Sequence, residues 1–320
     1  MLVLKRLTLP VAVLTLCGLV IACAKAPATG SLPTPWPDAT ATLAYPLTVT
    51  DASGETLTLA SAPRRIVSTS LAADEVLADL VTPDRLVALS YDALDESVSN
   101  LANRDDLQDV ERLPAHPTAA DIAGYRPDLV IVDGEMPSGV VDDLRVQDIP
   151  VYVYHTPLTL AQVNDGIMAL GALVGEPERA AGLIDGVAAR ITEIQRQVGE
   201  VNPQPPRVLY YVGDGRVAGS GTIPDQIIQL AGGANAAAEL DGWVMVTDAD
   251  VVALNPVLII TPPGDIDNAV EANPDFANLA AVKNGPVMPI SNPEMLAQSQ
   301  YIVRGVAAVA KILYPDRVSN

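Results

Sequence analysis

Short apolar runs rich in valine and isoleucine alternate with stretches of helical apolar spacing along most of the chain. The short runs are RIVS (65–68), LVALS (86–90), DLVIV (128–132), VYVY (151–154), and later 208–212, 257–261 and 287–290. Helical patterns lie between or after them, notably at 73–80, 119–125 and 298–313. This alternation predicts an α/β fold with mainly parallel sheets covered by helices.

A longer helical pattern covers residues 159–198, between the two sets of strands. Its apolar residues recur at spacings of three and four, which predicts a helix of about 60 Å if it is unbroken. Gly175 and Pro177 lie within the segment and can kink it, because proline is tolerated only near a helix start. We expect this segment to join two lobes as a rigid linking helix.

The two α/β blocks also resemble each other in sequence. Residues 118–131 align without gaps on residues 247–260, and the two segments share a threonine, an Ala-Asp pair and a proline. Each segment has the pattern of a capped helix, a turn through proline and a buried strand. Any α/β protein repeats that order, but the shared positions favour duplication or pseudo-symmetry. The sequence therefore predicts two similar Rossmann-like lobes.

The N-terminus has the pattern of a bacterial export signal. Lys5 and Arg6 precede an apolar run that ends at Cys23 and is short for a membrane span, which needs about 20 residues. The ending VIAC resembles the lipoprotein box, whose cysteine receives a diacylglycerol and becomes the mature N-terminus. The alternative is an ordinary signal peptide in which this cysteine is incidental. Residues 24–46 are rich in Ala, Pro and Thr, which indicates a tether.

These patterns divide the chain into five predicted parts. They are a signal peptide (1–22), the lipidated cysteine with its tether (23–46), an N-terminal lobe (47–158), the linking helix (159–198) and a C-terminal lobe (199–320). The mature protein would be exported and anchored by lipid to the outer face of the cytoplasmic membrane, at the cell surface or in the periplasm.

The charge excludes several classes of function. The chain has 39 acidic and 19 basic residues, a net charge of -20, so docking on nucleic acid is electrostatically unfavourable. Two cysteines and two histidines are too few for a disulfide framework or a histidine-rich metal centre. Residues 219–222 have neither the ending of a P-loop nor the order of a hydrolase elbow. We therefore predict a protein that is not an enzyme and has no intrinsic cofactor.

Five segments in order carry a resemblance to a known family. They are 45–80 (beginning YPLTVTDASGETLTL), 125–132 (YRPDLVIV), 149–184 (beginning IPVYVYHTPLTL), 207–240 (beginning RVLYYVGDGRVAGSGTIPD) and 254–261 (LNPVLIIT). The chain resembles the periplasmic-type substrate-binding proteins of ABC importers for iron-siderophores, haem and cobalamin. The resemblance implies two lobes bridged by a rigid helix, a ligand in the cleft, small opening motions, a monomer, and delivery to an ABC permease with its ATPase.

The ligand stays open among three metal chelates. The segment YPLTVTDASGETLTL resembles iron-complex receptors, so a ferric siderophore is the first expectation, with a corrinoid or haem as alternatives. Haem needs an axial ligand, which Tyr91, His116 or His155 would supply. Basic residues are few, which favours a hydroxamate or corrinoid over a more anionic ligand. An exported enzyme or adhesive surface lipoprotein on the same fold is the alternative class of function, because fold does not fix function.

Candidate ligand-binding residues follow the predicted strands, since ligands of open α/β sheets bind beyond the carboxyl ends of strands. They are Ser70, Tyr91, Asp133, Gly134, Tyr211, Gly213 and Trp243. Trp243 lies where members of the family present a tryptophan to the cleft. For Tyr211, core packing and a cleft position are about equally expected.

Two aspartates are candidates for docking on the permease. In the family, each lobe presents a glutamate at the start of the helix before the repeated strand, and this glutamate meets permease arginines. The matching positions here are Ala120 and Ala249, and acids follow at Asp121 and Asp250. The resemblance implies a shifted but retained docking pair. The alternative is that both acids only favour their helix starts through the helix dipole.

Overall fold

The computed structural model describes residues 44–199, 204–283 and 287–318. The predicted signal peptide, Cys23 and most of the tether lie outside this part. The strands are β1 (Leu47–Thr50), β2 (Thr56–Leu59), β3 (Ile66–Ser68), β4 (Leu86–Leu89), β5 (Glu111–Arg112), β6 (Leu129–Asp133), β7 (Val151–Tyr154), β8 (Arg207–Tyr210), β9 (Arg216–Ala218), β10 (Ala234–Asn235), β11 (Trp243–Met245), β12 (Leu258–Thr261) and β13 (Met288–Pro289).

The helices of the described ranges alternate with these strands. They are α1 (Leu71–Leu80), α2 (Ala119–Ala123), α3 (Ser138–Val146), α4 (Leu160–Val174), α5 (Pro177–Val198), α6 (Ile223–Leu230), α7 (Asp248–Leu254), α8 (Ile266–Ala272), α9 (Ala280–Lys283), α10 (Asn292–Met295) and α11 (Ile302–Leu313). None of those searched combines the length and the apolar character that a membrane crossing requires.

Two parallel sheets form the centres of two lobes. The N-terminal lobe has a five-stranded sheet of order β5-β4-β3-β6-β7, and the C-terminal lobe has a four-stranded sheet of order β10-β8-β12-β13. Central strands are apolar on both faces, as helices on both sides require, and Leu129–Val132 of β6 are all fully buried. Two antiparallel pairs, β1 with β2 and β9 with β11, flank the sheets. The predicted α/β class with two lobes is confirmed.

The internal repeat is visible as two matching helix starts. Thr118 and Thr247 are the N-caps of α2 and α7, and each accepts from the amide of the aspartate three residues later. Asp121 and Asp250 in turn accept from the threonine amides at 2.8 and 2.9 Å, which completes a capping box in each lobe. Both helices therefore begin in the same way at the same point of their lobes.

The turns that follow the two helices also match. Arg126 and Asn255, each directly before a proline, have positive φ angles of 49° and 45°. Proline disfavours a helical conformation in the residue before it; Asn255 is itself the C-cap of α7, whereas α2 ends slightly earlier, with Gly124 as its C-cap. Arg65, directly before β3, donates from its guanidinium group to the Tyr125 carbonyl just after α2, and Arg207, the first residue of β8, donates to the Leu254 carbonyl at the end of α7. These matches extend the repeat from sequence to local geometry.

The segment 159–198 is two helices rather than one unbroken helix, and the break lies at Gly175–Pro177, where the sequence allows a kink. Gly175 adopts the left-handed conformation with φ 81° at the end of α4, and Pro177 is the first residue of α5. Glycine ends a helix readily in this conformation and proline starts one, since its missing N–H costs nothing there. The apolar spacing continues across this turn, so it does not reveal the break.

The helix α5 joins the two lobes. Its 22 residues span about 33 Å. Ala180 near its start belongs to the core of the N-terminal lobe, and Ile194 and Val198 near its end belong to the core of the C-terminal lobe. Gly182 and Gly186 lie between these anchors, where an added methyl group would contact nothing within 4 Å.

A buried polar cluster, here called the lobe hub, connects the lobes beside α5. Glu75 of α1 is 2% exposed and accepts from Ser299 Oγ at 2.5 Å and from the Asn100 amide at 2.9 Å. Asn100 Nδ2 donates to the Pro293 carbonyl at 2.7 Å, and Gln300 Nε2 donates to the Glu75 carbonyl at 2.6 Å. The predicted helix 298–313 therefore begins later, at Ile302, because the residues before it turn into the hub.

Candidate ligand-binding cleft

The carboxyl ends of β3, β4 and β6 surround a cavity of about 510 Å³ in the N-terminal lobe. Its lining includes Thr69, Ser90, Tyr91, Asp92, His116 and Asp133. Tyr91 is 58% exposed, and its ring is available to a ligand. The sequence placed Tyr91 and Asp133 at this end of the sheet, and the structure brings them to one cavity.

A second cavity of about 510 Å³ lies at the carboxyl ends of β8 and β12 in the C-terminal lobe. Tyr211 lines it but is only 7% exposed, and its ring packs edge-on against Phe276 with 6.4 Å between the centroids. Tyr211 is therefore a core residue and also part of the cavity wall. Whether it contacts a ligand stays a prediction. Gly213 has φ 87°, and a side chain there would meet Ile266 at 2.9 Å. Glycine keeps this end of the cavity open.

Trp243 projects from the β9–β11 pair and does not line either cavity. Its side chain is 43% exposed and touches Tyr210 edge-on, with centroids 6.0 Å apart. Met245 is 64% exposed and points to the same side of β11, because alternate residues of a strand share a face. Together they form an exposed apolar platform in the C-terminal lobe.

Besides Trp243, two more predicted ligand-binding residues, Ser70 and Gly134, do not line the cavities. Ser70 is buried, and its hydroxyl accepts from the Ala73 amide at 3.4 Å as the N-cap of α1. Thr69 takes its place in the wall. Gly134 is exposed and lies outside the lining, while Asp133 accepts from the Glu135 amide at 2.9 Å.

The charges around the cavities are predominantly acidic. Among the described residues, no lysine or arginine lines either cavity, whereas the carboxylates of Asp92, Asp133 and Glu135 line the first and those of Asp214 and Asp265 the second. No group of three or more His, Cys, Asp or Glu side chains in the described ranges is placed to hold a metal ion. The geometry suits a bulky, weakly charged or cationic ligand that offers apolar surface and hydrogen bonds.

Two arginines do not line the cavities themselves, but one of them pairs with a carboxylate of the second cavity. Arg216 pairs with Asp214 at 3.0 Å, and the pKa of Asp214 is lowered because its carboxylate accepts from the Arg216 amide and side chain. Arg304 stacks on Tyr301 at 4.4 Å and donates to Asn100 in the lobe hub. His155 follows β7, is exposed and does not line either cavity.

The two candidate docking aspartates occupy equivalent, exposed places. Asp121 and Asp250 each use one carboxylate oxygen to accept from the cap threonine, and this contact lowers the pKa of both carboxyls. Neither forms an ion pair with a described residue. Both therefore present an ionised carboxylate at the start of a short helix.

Two α/β lobes with cavities at the carboxyl ends of their strands, joined by one helix, define a bilobal solute-binding protein. The model of the periplasmic binding protein family matches residues 66–293, and the chain belongs to this family. The predicted resemblance is confirmed, and the family consists of solute-binding transport proteins, not enzymes.

Similar proteins support the same assignment. An uncharacterised ABC transporter substrate-binding lipoprotein of Bacillus subtilis, YvrC, is 25% identical over 282 residues, covering 85% of this chain and 87% of YvrC. A cobalamin-binding protein of Halobacterium salinarum is 26% identical over 227 residues, covering 70% of this chain and 60% of that protein. Among solved structures, the molybdate-binding protein MolA of Haemophilus influenzae aligns with a TM-score of 0.71 at 18% identity, covering 85% of this chain and 92% of MolA. This last likeness concerns the fold alone.

Proposed function

We propose that this protein is the lipid-anchored receptor of an ABC importer, and that it captures a corrinoid between its lobes and delivers it to the permease. The observation that carries the proposal is the acidic lining of both cavities, without lysine or arginine among the described lining residues. A corrin has a ring of amide side chains and a net charge near zero or positive, so such a cleft does not repel it. The similarity to a cobalamin-binding protein supports the same ligand class.

The same charges disfavour the more anionic chelates. Haem carries two propionates and catecholate complexes of iron are strongly anionic, and both would meet carboxylates where they need cations. Tyr91 and His116 line the first cavity and would be the axial ligands if haem bound. A ferric hydroxamate siderophore carries little charge and is the second candidate, in line with the preference from the sequence.

A fluorescence titration distinguishes these ligands. The chain has two tryptophans, Trp36 in the tether and Trp243 on the exposed platform, so Trp36→Phe leaves Trp243 as the single reporter. We expect cyanocobalamin and cobinamide to quench it with saturation, because the exposed ring of Trp243 is proposed to contact the ligand. The control Trp243→Phe should lose the signal while calorimetry still detects binding. Saturation only by a ferric hydroxamate would select the second candidate, and no response in either assay to any chelate would favour an exported enzyme or adhesin.

We also propose that Asp121 and Asp250 dock on basic residues of the permease. The proposal is supported by their equivalent positions in the two lobes, their exposure and the lack of an ion partner among the described residues. One basic site on each half of the permease would pair with one of these aspartates, so that each lobe would dock on one half.

The test of docking separates charge from capping. The double substitution Asp121→Asn/Asp250→Asn removes both charges but keeps a side-chain oxygen that can accept from the cap threonines. We expect uptake in cells to fall at least tenfold while the Kd for the ligand stays the same. A matched control is Asp142→Asn/Asp143→Asn on α3, where both acids are exposed. Equal uptake in the two double variants would contradict docking through these acids.

The membrane anchor is proposed to be the lipid on Cys23. Replacement by Cys23→Ala should release the protein from the membrane fraction, with ligand affinity unchanged. Retention in the membrane fraction would indicate that the N-terminal segment is not cleaved and anchors the chain by itself.

A further inference from the structure

A carboxyl group is buried directly behind the wall of the first cavity. Asp74 of α1 is fully buried, while Ser90 at the end of β4 is 6% exposed and lines the cavity. Asp74 Oδ2 accepts from the Ser90 amide at 3.0 Å and from Ser90 Oγ at 2.5 Å. Asp74 Oδ1 has no hydrogen-bond partner among the described residues. The state of this carboxyl therefore bears on the hydroxyl group of a residue in the cavity wall.

Asp74 lacks a cation to balance it. None of the described lysines or arginines forms an ion pair with it, and its nearest charged neighbour is another acid, Glu75. Desolvation by burial is the main cause that raises the pKa of Asp74 to about 7, against the contacts with Ser68 and Ser90, which lower it. If the contact with Ser90 were only structural, an asparagine at position 74 could accept the same hydrogen bonds without the free-energy cost of burying a charge.

We propose that Asp74 is a positioning residue that sets whether Ser90 Oγ accepts or donates a hydrogen bond in the cleft. When Asp74 is ionised, the hydroxyl proton of Ser90 is committed to Oδ2, and the lone pairs of Oγ accept from N–H donors of the ligand. When Asp74 carries a proton on Oδ2, that proton goes to Ser90 Oγ, and the hydroxyl proton of Ser90 turns to acceptors of the ligand.

The proposal rests on the corrinoid function and names the contact that would select it. The amide side chains of a corrin supply N–H donors, which suit the ionised form of Asp74. Hydroxamate oxygens are acceptors, which suit the protonated form. The sign of the pH dependence of binding therefore reports the ligand class.

Other titratable groups near Asp74 must be separated from it. On α1 itself the neighbour is Glu75, whose pKa burial also raises and which belongs to the lobe hub. The packed strands β3 and β4 carry no charged residue, and α4 carries only the exposed Asp165. In the cavity, Ser90 faces three carboxylates and His116. Among the described residues, His116 is the one basic side chain in this wall, so His116→Gln is the necessary control.

The test measures the Kd of cyanocobalamin by calorimetry between about pH 5.5 and about pH 8.5, a range centred on the pKa of Asp74. For one hydrogen bond we expect the wild-type affinity to rise roughly tenfold as pH increases through about 7. Asp74→Asn should bind as tightly as the wild type at high pH but without pH dependence. Ser90→Ala should bind roughly tenfold more weakly at high pH, and Ser90→Thr, which keeps the hydroxyl, should restore affinity and slope.

The outcomes for the ligand and for the positioning role are distinguishable. A failure of corrinoids to bind overturns the proposed function, and a ferric hydroxamate should then show the opposite pH slope. Corrinoid binding with a slope that persists in Asp74→Asn, or disappears in His116→Gln, overturns the role of Asp74.

The role of Asp74 can also be tested in the free protein, without any ligand. Carbon-13 NMR of the aspartate carboxyls in the free protein should show one group that titrates near pH 7, is missing in Asp74→Asn, and moves to higher pH in Ser90→Ala. A carboxyl titration in the usual range for aspartate would overturn the proposal whatever the ligand.

Discussion

The lobe hub offers a direct measure of how strongly a buried carboxylate holds the two lobes together. Ser299 Oγ is fully buried, donates to Glu75 Oε2 at 2.5 Å, and accepts from the Tyr301 amide at 3.2 Å. Ser299→Ala removes both contacts and leaves one oxygen of a buried carboxylate without its donor. A hydrogen bond to a charged group is worth about 1.5–3 kcal/mol, so we expect a loss of about 2–3 kcal/mol.

This loss is measurable by thermal and urea unfolding. For a folded body of this size, about 2 kcal/mol corresponds to a decrease of about 4 °C in Tm. The matched control is Ser99→Ala in the N-terminal lobe, which removes a buried hydroxyl bonded to the neutral Ala93 carbonyl at 2.6 Å and should cost about 1 kcal/mol.

The effect of Ser299→Ala should also depend on pH. Burial raises the pKa of Glu75, and a protonated carboxyl needs the serine donor less. The difference from the wild type should therefore be largest at high pH and shrink as pH falls. Equal losses in Ser299→Ala and Ser99→Ala at all pH values would refute the reasoning that an ionised Glu75 is held across the lobes.

Three further substitutions test the packing and electrostatics of the fold. Because burial raises the pKa of Asp74 from 3.8 to about 7, wild-type stability should fall as pH rises from about 4 to about 7, by on the order of 4 kcal/mol. Asp74→Asn should lack this fall in urea unfolding, and an equal fall would contradict the assignment. The added methyl group of Gly166→Ala would overlap the buried Tyr154 hydroxyl, so the free energy of unfolding should fall by about 1–3 kcal/mol. Adding Tyr154→Phe, which removes the hydroxyl, should restore part of this loss. An unchanged stability of Gly166→Ala would contradict the expected overlap. Gly182→Ala and Gly186→Ala should each raise stability by about 0.5–1 kcal/mol, and a lower Tm would reveal a packing role for these glycines.

Much of the architecture follows from residue patterns, and the exceptions have physical causes. The apolar residues of β6 are consecutive because both faces of the strand are buried, so the run predicts a central parallel strand. By contrast, the apolar period continues from α4 into α5, so the period alone does not show that the chain turns at Gly175 and Pro177. Local signals for an end of a helix can be outweighed by a longer periodic pattern.

The residues of the cleft were harder to predict from the sequence than the fold was. Ser70 was chosen because it follows a strand, but it is also the first position able to cap α1, and that use buries its hydroxyl. Asp74 was missed because an acid in the first turn of a helix is usually a solvent-exposed residue that favours the dipole. A signal was present, since α1 is apolar on most sides and leaves little polar face for its three acids.

The two exposed glycines make the middle of α5, which connects the lobes, easier to bend than the rest of the helix. A bend of about 5° near Gly182 and Gly186 would displace the end of the helix by roughly 2 Å, enough to make or break a hydrogen bond in the cleft. Alanine at either position would make α5 stiffer without changing the residues proposed to bind the ligand. We therefore expect single methyl groups far from the binding surface to change how widely the proposed cleft opens, and with it the rate of ligand release.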